Sequence, residues 1–474
     1  MSRFSLRTAF PRTPNPLSQA VAERQARGLP LLDLAETNPT RVGLPLPGAE
    51  LLLAGAAAPL AAPPPLAPAS GRGGPTPSEA RGVAPSAPTG EGVAPLAPTG
   101  EGGAPLAPTG EGGAPLAPTG EGGASLAPTG EGGGAAPSPF VYAPEPFGLE
   151  SARASVAAYL SRADAPVEAA HVVLSASTSE AYGWLLKLLC DPGDTVLVPA
   201  PGYPLVDVLA RLEAIQTRPY RLPAVHGFGL DAARVEAAVD ARTRAVVVVN
   251  PGNPTGHFLH EDELHALADV CARHGLALVC DEVFSDFAWD EAPGRVTRVA
   301  GRRLPCLTFC LSGLSKVAGL PGMKLAWLHV GGPAHARDEA LARLEDVADA
   351  ALSVATPVQL ALPALLAHAP RFQRALLARV RGNRARLLRA RPADAAWDVV
   401  PAHGGWSAVL RIPHHPGEEA TCLRLLEEGV RVQPGYFHDF GGGAYLVLSL
   451  LPTPEVFTAA LEPLARVLSP SAGR

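Results

Sequence analysis

Three apolar runs, each cut off by polar or small residues at its carboxyl end, constrain this chain more than anything else in it. The first is Ala245 to Val249, five apolar residues of which four are valine, and it runs into Asn250-Pro251-Gly252-Asn253-Pro254-Thr255-Gly256. Such a run reads as a strand buried on both faces, as in parallel sheets. The turn leads into a helix starting near Leu259, which leaves Asn253 at a strand's carboxyl end, where open α/β sheets bind ligands. The second run, Leu276 to Cys280, ends in Asp281-Glu282-Val283-Phe284. A carboxylate at the end of a buried strand is costly unless a cation or a hydrogen-bond donor meets it. The third run, Leu304 to Leu311, is followed by Ser312-Gly313-Leu314-Ser315-Lys316-Val317-Ala318-Gly319-Leu320-Pro321-Gly322-Met323-Lys324. Small neighbours let the backbone approach a bulky group, and Gly319 and Gly322 allow a tight turn. A lysine kept out of water or beside positive charge loses its proton more easily and becomes a nucleophile, suited to an aldehyde. Taken singly, each segment has a plainer meaning: an ordinary strand-to-helix turn, an acidic helix cap, a solvated loop lysine.

Taken together and in this order, the three segments resemble the class I/II aminotransferases, the pyridoxal-phosphate (PLP) enzymes of fold type I with the aspartate aminotransferase fold. Asp191-Pro192-Gly193-Asp194, then Val196 to Pro199 and Pro201-Gly202-Tyr203-Pro204, looks like the family's strand and stacking loop. Asp33 to Thr40 resembles its N-terminal active-site strip. The resemblance covers about residues 28–60 and 138–468. It implies an α/β PLP-dependent transferase fold, with a large domain built on a mostly parallel sheet and a smaller α+β domain.

The resemblance also implies roles. Lys316 would bind the cofactor as a Schiff base and later carry a proton between the substrate's α-carbon and the cofactor. Asp281 would pair with the pyridinium nitrogen, Asn253 would bond the phenolic oxygen, and Tyr203 would stack on the ring. Ser177 and Thr178 open a helix after the strand His171 to Leu174, so their N–H groups suit the phosphate, with Ser315 beside Lys316. Tyr142 would reach the phosphate of a partner subunit's cofactor, which implies a homodimer with shared sites. The chain departs from the family in three places. Lys324 stands where a phosphate-binding arginine is usual, keeping the charge but losing the planar fork. Phe284 stands where a tyrosine often donates to the phenolic oxygen. Val447, in the strand Tyr445 to Leu450, stands where an arginine usually pairs with the substrate's α-carboxylate. Arg41, directly after the strip that holds Asn38, is the candidate replacement, with a plain surface arginine as the alternative.

The expected domains are an N-terminal arm and strip over 1–61, an insert over 62–139, a large PLP-binding domain over 140–335, and an interdomain helix with the small domain over 336–474. The insert carries five near-identical ten-residue units of the form Gly-Ala-Pro-Leu-Ala-Pro-Thr-Gly-Glu-Gly between Val83 and Gly132. At most one leucine and two prolines per unit cannot build a stacked core, so the segment reads as disordered or polyproline-like rather than a solenoid. Within 140–335 the pattern alternates strands with helices, at Leu149–Arg162, Ser179–Cys190, Tyr203–Glu213 and His260–His274. Further expectations are a short helix around Ala49–Ala58, helix over Pro333–Ala367 and the small domain from about Phe372, with a last helix at Glu455–Val467.

At 474 residues, 47% hydrophobic, the chain can bury two cores, and a net charge of −6 without a basic stripe argues against nucleic acid. Its scattered cysteines lack zinc spacing, and Cys190, Cys280, Cys306 and Cys310 sit in or beside apolar runs, which points to free thiols and no metal. No apolar core in the first thirty residues and no long apolar span argue for a cytoplasmic protein. The reading is an aminotransferase acting on an amino acid or related amine and a keto acid. A β- or γ-eliminating lyase on the same scaffold stays open as an alternative. A non-catalytic regulator is disfavoured by the retained Lys316, Asn253 and Asp281 and by the lack of a helix-turn-helix pattern in residues 1–60.

Overall fold

The computed structural model describes residues 4–11, 13–48, 50–51, 142–224 and 227–469. The decapeptide repeats, and most of the helix expected around Ala49–Ala58, lie outside these residues. Near the N-terminus a helix α1 (Pro16–Ala26) starts on Asn15, whose side chain accepts from the Ser18 N–H, and a short strand β1 (Leu32–Asp33) follows. The sequence reading missed α1, which buries only Leu17 and Val21 and so has little apolar periodicity.

The larger layer begins with α2 (Glu150–Leu160), β2 (Val172–Ser175), α3 (Thr178–Leu189), β3 (Thr195–Ala200), α4 (Leu205–Leu212) and β4 (Gln216–Arg221). It continues through α5 (Ala232–Ala237), β5 (Thr243–Val249), α6 (Glu261–His274), β6 (Ala277–Asp281), β7 (Thr308–Gly313), the one-turn α7 (Leu314–Val317) and β8 (Ala326–Gly331). These strands form a seven-stranded sheet in the order β2-β8-β7-β6-β5-β3-β4. It is parallel except at β8, which runs antiparallel to both β2 and β7. Every residue of β7 is buried, as are all but the last of β6, which puts these two strands at the centre of the sheet's core. Cys280 and Cys310 are register partners within them, and the six cysteines are free thiols.

Two helices follow, α8 (Ala334–Ala351) and α9 (Thr356–Ala390), separated at Leu352, which has φ of 68°. The single helical span expected over Pro333–Ala367 is therefore corrected to two helices, and the second does not stop where the small domain was expected to begin. It runs 35 residues through Pro363 and Pro370. Its apolar positions explain why. Val358, Ala361, Leu362 and Leu365 pack into the core around the large sheet, while Phe372, Leu376, Val380 and Leu387 pack into the core of the smaller layer. One helix thus belongs to both cores, and that burial outweighs two missing N–H donors.

The smaller layer contains β9 (Asp398–Val399), β10 (Ser407–Ile412), α10 (Glu418–Glu427), β11 (Val430–Arg431), β12 (Gln433–Pro434), β13 (Ala444–Ser449) and α11 (Pro454–Leu468). Its antiparallel sheet has the order β12-β13-β10-β9, and β1 pairs parallel with β11. The N-terminal strip is held there again by the Ser449 N–H donating to Leu34 O at 2.6 Å. The Asn383 amide of α9 donates to Leu450 O and Pro452 O at 2.9 and 2.8 Å, which fixes the long helix to the same sheet.

Candidate active site

The carboxyl ends of β2, β3, β5, β6 and β7 deliver the chain's polar turns to one region. A cavity of about 450 Å³ opens there, lined by Ser177, Thr178, Tyr203, Asn253, Asp281, Phe284, Ser315, Lys316 and Lys324, all singled out from the sequence. Val447 lies in the same wall. The chain has three lysines, Lys187, Lys316 and Lys324, among 39 basic residues, and two of the three line this cavity. Lys187 instead pairs with Glu213.

Each turn is set by local chemistry. After β2, the Ser177 side chain accepts from the Glu180 N–H at 3.1 Å while Glu180 accepts from the Ala176 N–H at 2.6 Å, a reciprocal cap that starts α3 at the cavity. After β5, the first asparagine of the motif is structural. Buried Asn250 donates to Val296 O at 2.8 Å and accepts from the Leu259 N–H at 3.0 Å, and this staples the turn that presents Asn253. After β7, the chain must pass close to β8 and α9. A Cβ on Gly313 would lie 2.8 Å from Ala326 Cα, and one on Gly319, at φ of 68°, would lie 2.4 Å from the Phe372 ring.

Asp281 ends β6. Its carboxylate accepts from the Tyr182 hydroxyl at 3.1 Å and from the Val283 N–H at 3.2 Å. Burial raises its pKa to about 6, against the pull of these two bonds and of the Lys316 charge. Burial in turn lowers the pKa of Lys316, with Asp281 opposing. Among the described residues the Lys316 amine has no hydrogen-bond partner; its Nζ lies 5.0 Å from the Trp406 ring centroid and 5.7 Å from that of Phe284. Neighbouring Glu282 faces the other way, accepting from the Val299 and Ala300 N–H groups.

Sequence reasoning missed several lining residues. Tyr182 sits one turn after Thr178 on α3, so helical spacing alone would put it on the cavity side. Gln433 and His438, joined at 3.1 Å, come from short segments with no pattern of their own. Burial holds the His438 imidazole down at about 4, so it is neutral. Trp406 also forms part of the wall.

Three sequence candidates are not among the lining residues. Asn38 accepts from the Thr40 N–H at 3.0 Å and caps a short turn, whereas Thr37 beside it lines the cavity. Arg41 ends that turn and is exposed. Tyr142 is 79% exposed at the start of a described segment.

The family model for aminotransferase class I and II matches residues 136–450. Tyrosine aminotransferase of Bos taurus is 29% identical over 229 residues, 47% of this chain and 50% of that enzyme, so the match spans half of the relative. Alanine aminotransferase of Mycobacterium bovis is 28% identical over 311 residues, 63% of this chain and 70% of the relative. In fold, a Thermus thermophilus aspartate aminotransferase mutant aligns with a TM-score of 0.70 at 23% identity, covering 99% of this chain and 100% of that one. An alanine aminotransferase from Pyrococcus furiosus aligns with a TM-score of 0.71 at 16% identity, covering 98% and 99%.

Proposed function

We propose, for a chain that belongs to the class I and II aminotransferases, the transfer of an amino group between an amino acid or related amine and a keto acid, with pyridoxal phosphate held at Lys316. The observation that carries this reading is the meeting of Lys316, Asp281 and Asn253 in one cavity. When bound, pyridoxal phosphate supplies an aldehyde for the amino group and a ring that draws electrons from the donor's α-carbon.

The residues fit that group. Asp281 is a half-buried carboxylate met by one hydroxyl and one N–H but by no hydrogen-bonded cation among the described residues, a place suited to a protonated ring nitrogen. Asn253 would donate its amide to the ring's phenolic oxygen, and Tyr203 would cover one ring face. Ser177 and Thr178 at the start of α3, with Ser315 and Lys324, would hold the phosphate through N–H groups, hydroxyls and one ammonium. Lys316 Nζ would take the proton from the donor's α-carbon and hand it on, as a positioned base must. Phe284, Trp406 and Val447 would keep water off the reacting side. Arg41, with Asn38 ordering its turn, is assigned to a donor carboxylate, reached by movement of the strip whose Thr37 already lines the cavity. Exposed Tyr142 supports a homodimer in which it serves the partner's site, to be checked by light scattering in solution.

The direct test is chemical. The purified protein should bind pyridoxal phosphate, and borohydride should fix the cofactor's mass to the peptide containing Lys316. Amino donors should then convert the bound cofactor to its pyridoxamine form, and keto acids should restore it. With only Lys187 and Lys324 as other lysines, mass on either of them would overturn the assignment. Release of ammonia without an acceptor would replace transfer by elimination.

A further inference from the structure

The Lys316 amine faces two rings and hydrogen-bonds no anion among the described residues. Its Nζ lies 5.0 Å from the Trp406 centroid and 5.7 Å from the Phe284 centroid, both within cation–π range. The two rings are edge-to-face at 5.2 Å and 71°, so they form adjoining walls. Phe287 backs Trp406 at the same separation. Trp406 is 4% exposed, and its indole N–H is buried without a partner among the described residues, so hydrogen bonding does not explain its position. A glycine corner explains it instead. Gly405, at φ of 81°, donates to Phe287 O at 3.0 Å and accepts from the Trp289 indole at 2.9 Å. A Cβ on Gly404 would lie 2.5 Å from the Phe258 ring and 2.8 Å from Phe287 O. The backbone is thus pressed against the segment that carries Phe284.

We propose that Trp406 and Phe284 form an aromatic cradle that receives the ammonium of Lys316 whenever that amine is not bonded to the cofactor, making Trp406 a positioning residue for proton transfer. This rests on the aminotransferase reading, in which Lys316 must hold a proton briefly and then give it up. A carboxylate in direct contact would hold that proton too firmly. Ring faces attract the cation while leaving the N–H bonds free to point at the donor's α-carbon. The other ionisable groups facing the same cavity are Asp281, Tyr182, Tyr203, Lys324 and His438. None of them hydrogen-bonds Nζ among the described residues.

The scarcity of lysine makes the test clean. The full-length chain, carrying isotope-labelled lysine and saturated with pyridoxamine phosphate so that the amine is free, should give three lysine side-chain signals. Lys187→Arg and Lys324→Arg identify two of them. Removing a ring that stabilises the charged form should lower the Lys316 pKa by about one unit in Trp406→Leu and by less in Trp406→Phe, with Lys187 and Lys324 unmoved. In the active enzyme the ascending limb of kcat against pH should move to lower pH by the same amount. An unchanged Lys316 titration, or equal shifts of Lys316 and Lys324, would overturn the cradle. Should Trp406→Leu not fold, Phe284→Leu removes the other wall under the same criteria. Failure of every donor to convert the cofactor would sink the aminotransferase reading, while the lysine titration would still decide the cradle.

Discussion

Charge in the cavity is unevenly spread over single residues. Its described cations are Lys316, proposed to hold the cofactor, and Lys324, proposed with Ser177, Thr178 and Ser315 for its phosphate. The wall formed by Trp406, Ser407, Gln433, His438 and Val447 is neutral. Val447 pairs across β13 with Val409 on one side and Gln433 on the other, so an anion set against it would meet no fixed cation. Leaving a buried carboxylate unpaired costs on the order of several kcal/mol. A donor carboxylate must therefore draw a cation in; Arg431, two positions before Gln433, is already paired with Asp33 at 3.0 Å, which leaves Arg41, four positions after Thr37 and in no ion pair among the described residues, as the candidate. Arg41→Ala should raise KM for carboxylate-bearing donors about tenfold or more, in line with a charge-assisted contact. Matched simple amines should change little. Equal effects on both donor classes in steady-state kinetics would remove Arg41 as the anchor and favour donors held through their side chains. The ion was legible here only as a vacancy: the sequence shows valine at 447, but which distant residue compensates depends on loop placement, which no periodic pattern encodes.

Among the elements, the strand–turn–helix units were readable because each combines a short apolar run with turn residues of fixed chemistry, as at Val249–Asn250 and Gly313–Leu314. Elements that gain stability only from distant partners were not. The antiparallel β8 joins β7 to β2 across more than 130 residues of chain, and α9 continues past Ala367 because a second core waits for Phe372 and Leu376. That helix also constrains the site. Gly319, three residues after Lys316, has positive φ and lies against the Phe372 ring of α9. Gly319→Ala should destabilise the fold by roughly 1–3 kcal/mol, through both overpacking and backbone strain. Phe372→Ala, which empties a fully buried position, should cost about 3–5 kcal/mol. The double variant should lose clearly less than the two combined, since the space emptied by one change takes the methyl of the other. Denaturant titrations of the four proteins check this, and strict additivity would mean that the loop moves away from α9 rather than pressing on it.

For the whole molecule, the repeats pose the remaining question of what the chain spends 50 residues on between Val83 and Gly132. Four of the five units offer one leucine and the first none, and their prolines withhold backbone donors, so little apolar surface is available to offset the entropy of ordering. Among the described residues, the large sheet is covered by α2, α3, α6, α8 and α9, and the small sheet by α9, α10 and α11. Deleting Val83 to Gly132 should therefore leave the melting temperature within about 2 °C and leave cofactor binding unchanged, because a loss of even 1 kcal/mol would shift a protein of this size by only about that much or slightly more. The insert separates the strip carrying Thr37 and Arg41 from Tyr142, and Arg41 and Tyr142 are proposed for the active site of this chain and of a second copy. A shortened connection that leaves folding intact could still change how that strip moves. Melting and cofactor titration should be measured beside KM for a carboxylate donor. A large fall in melting temperature would mean that the repeats pack on the body. Unchanged melting with a raised KM would give the insert a role in substrate capture. Unchanged values of all three, the outcome expected from composition, would make it an inert expansion tolerated because the rest of the chain folds around it.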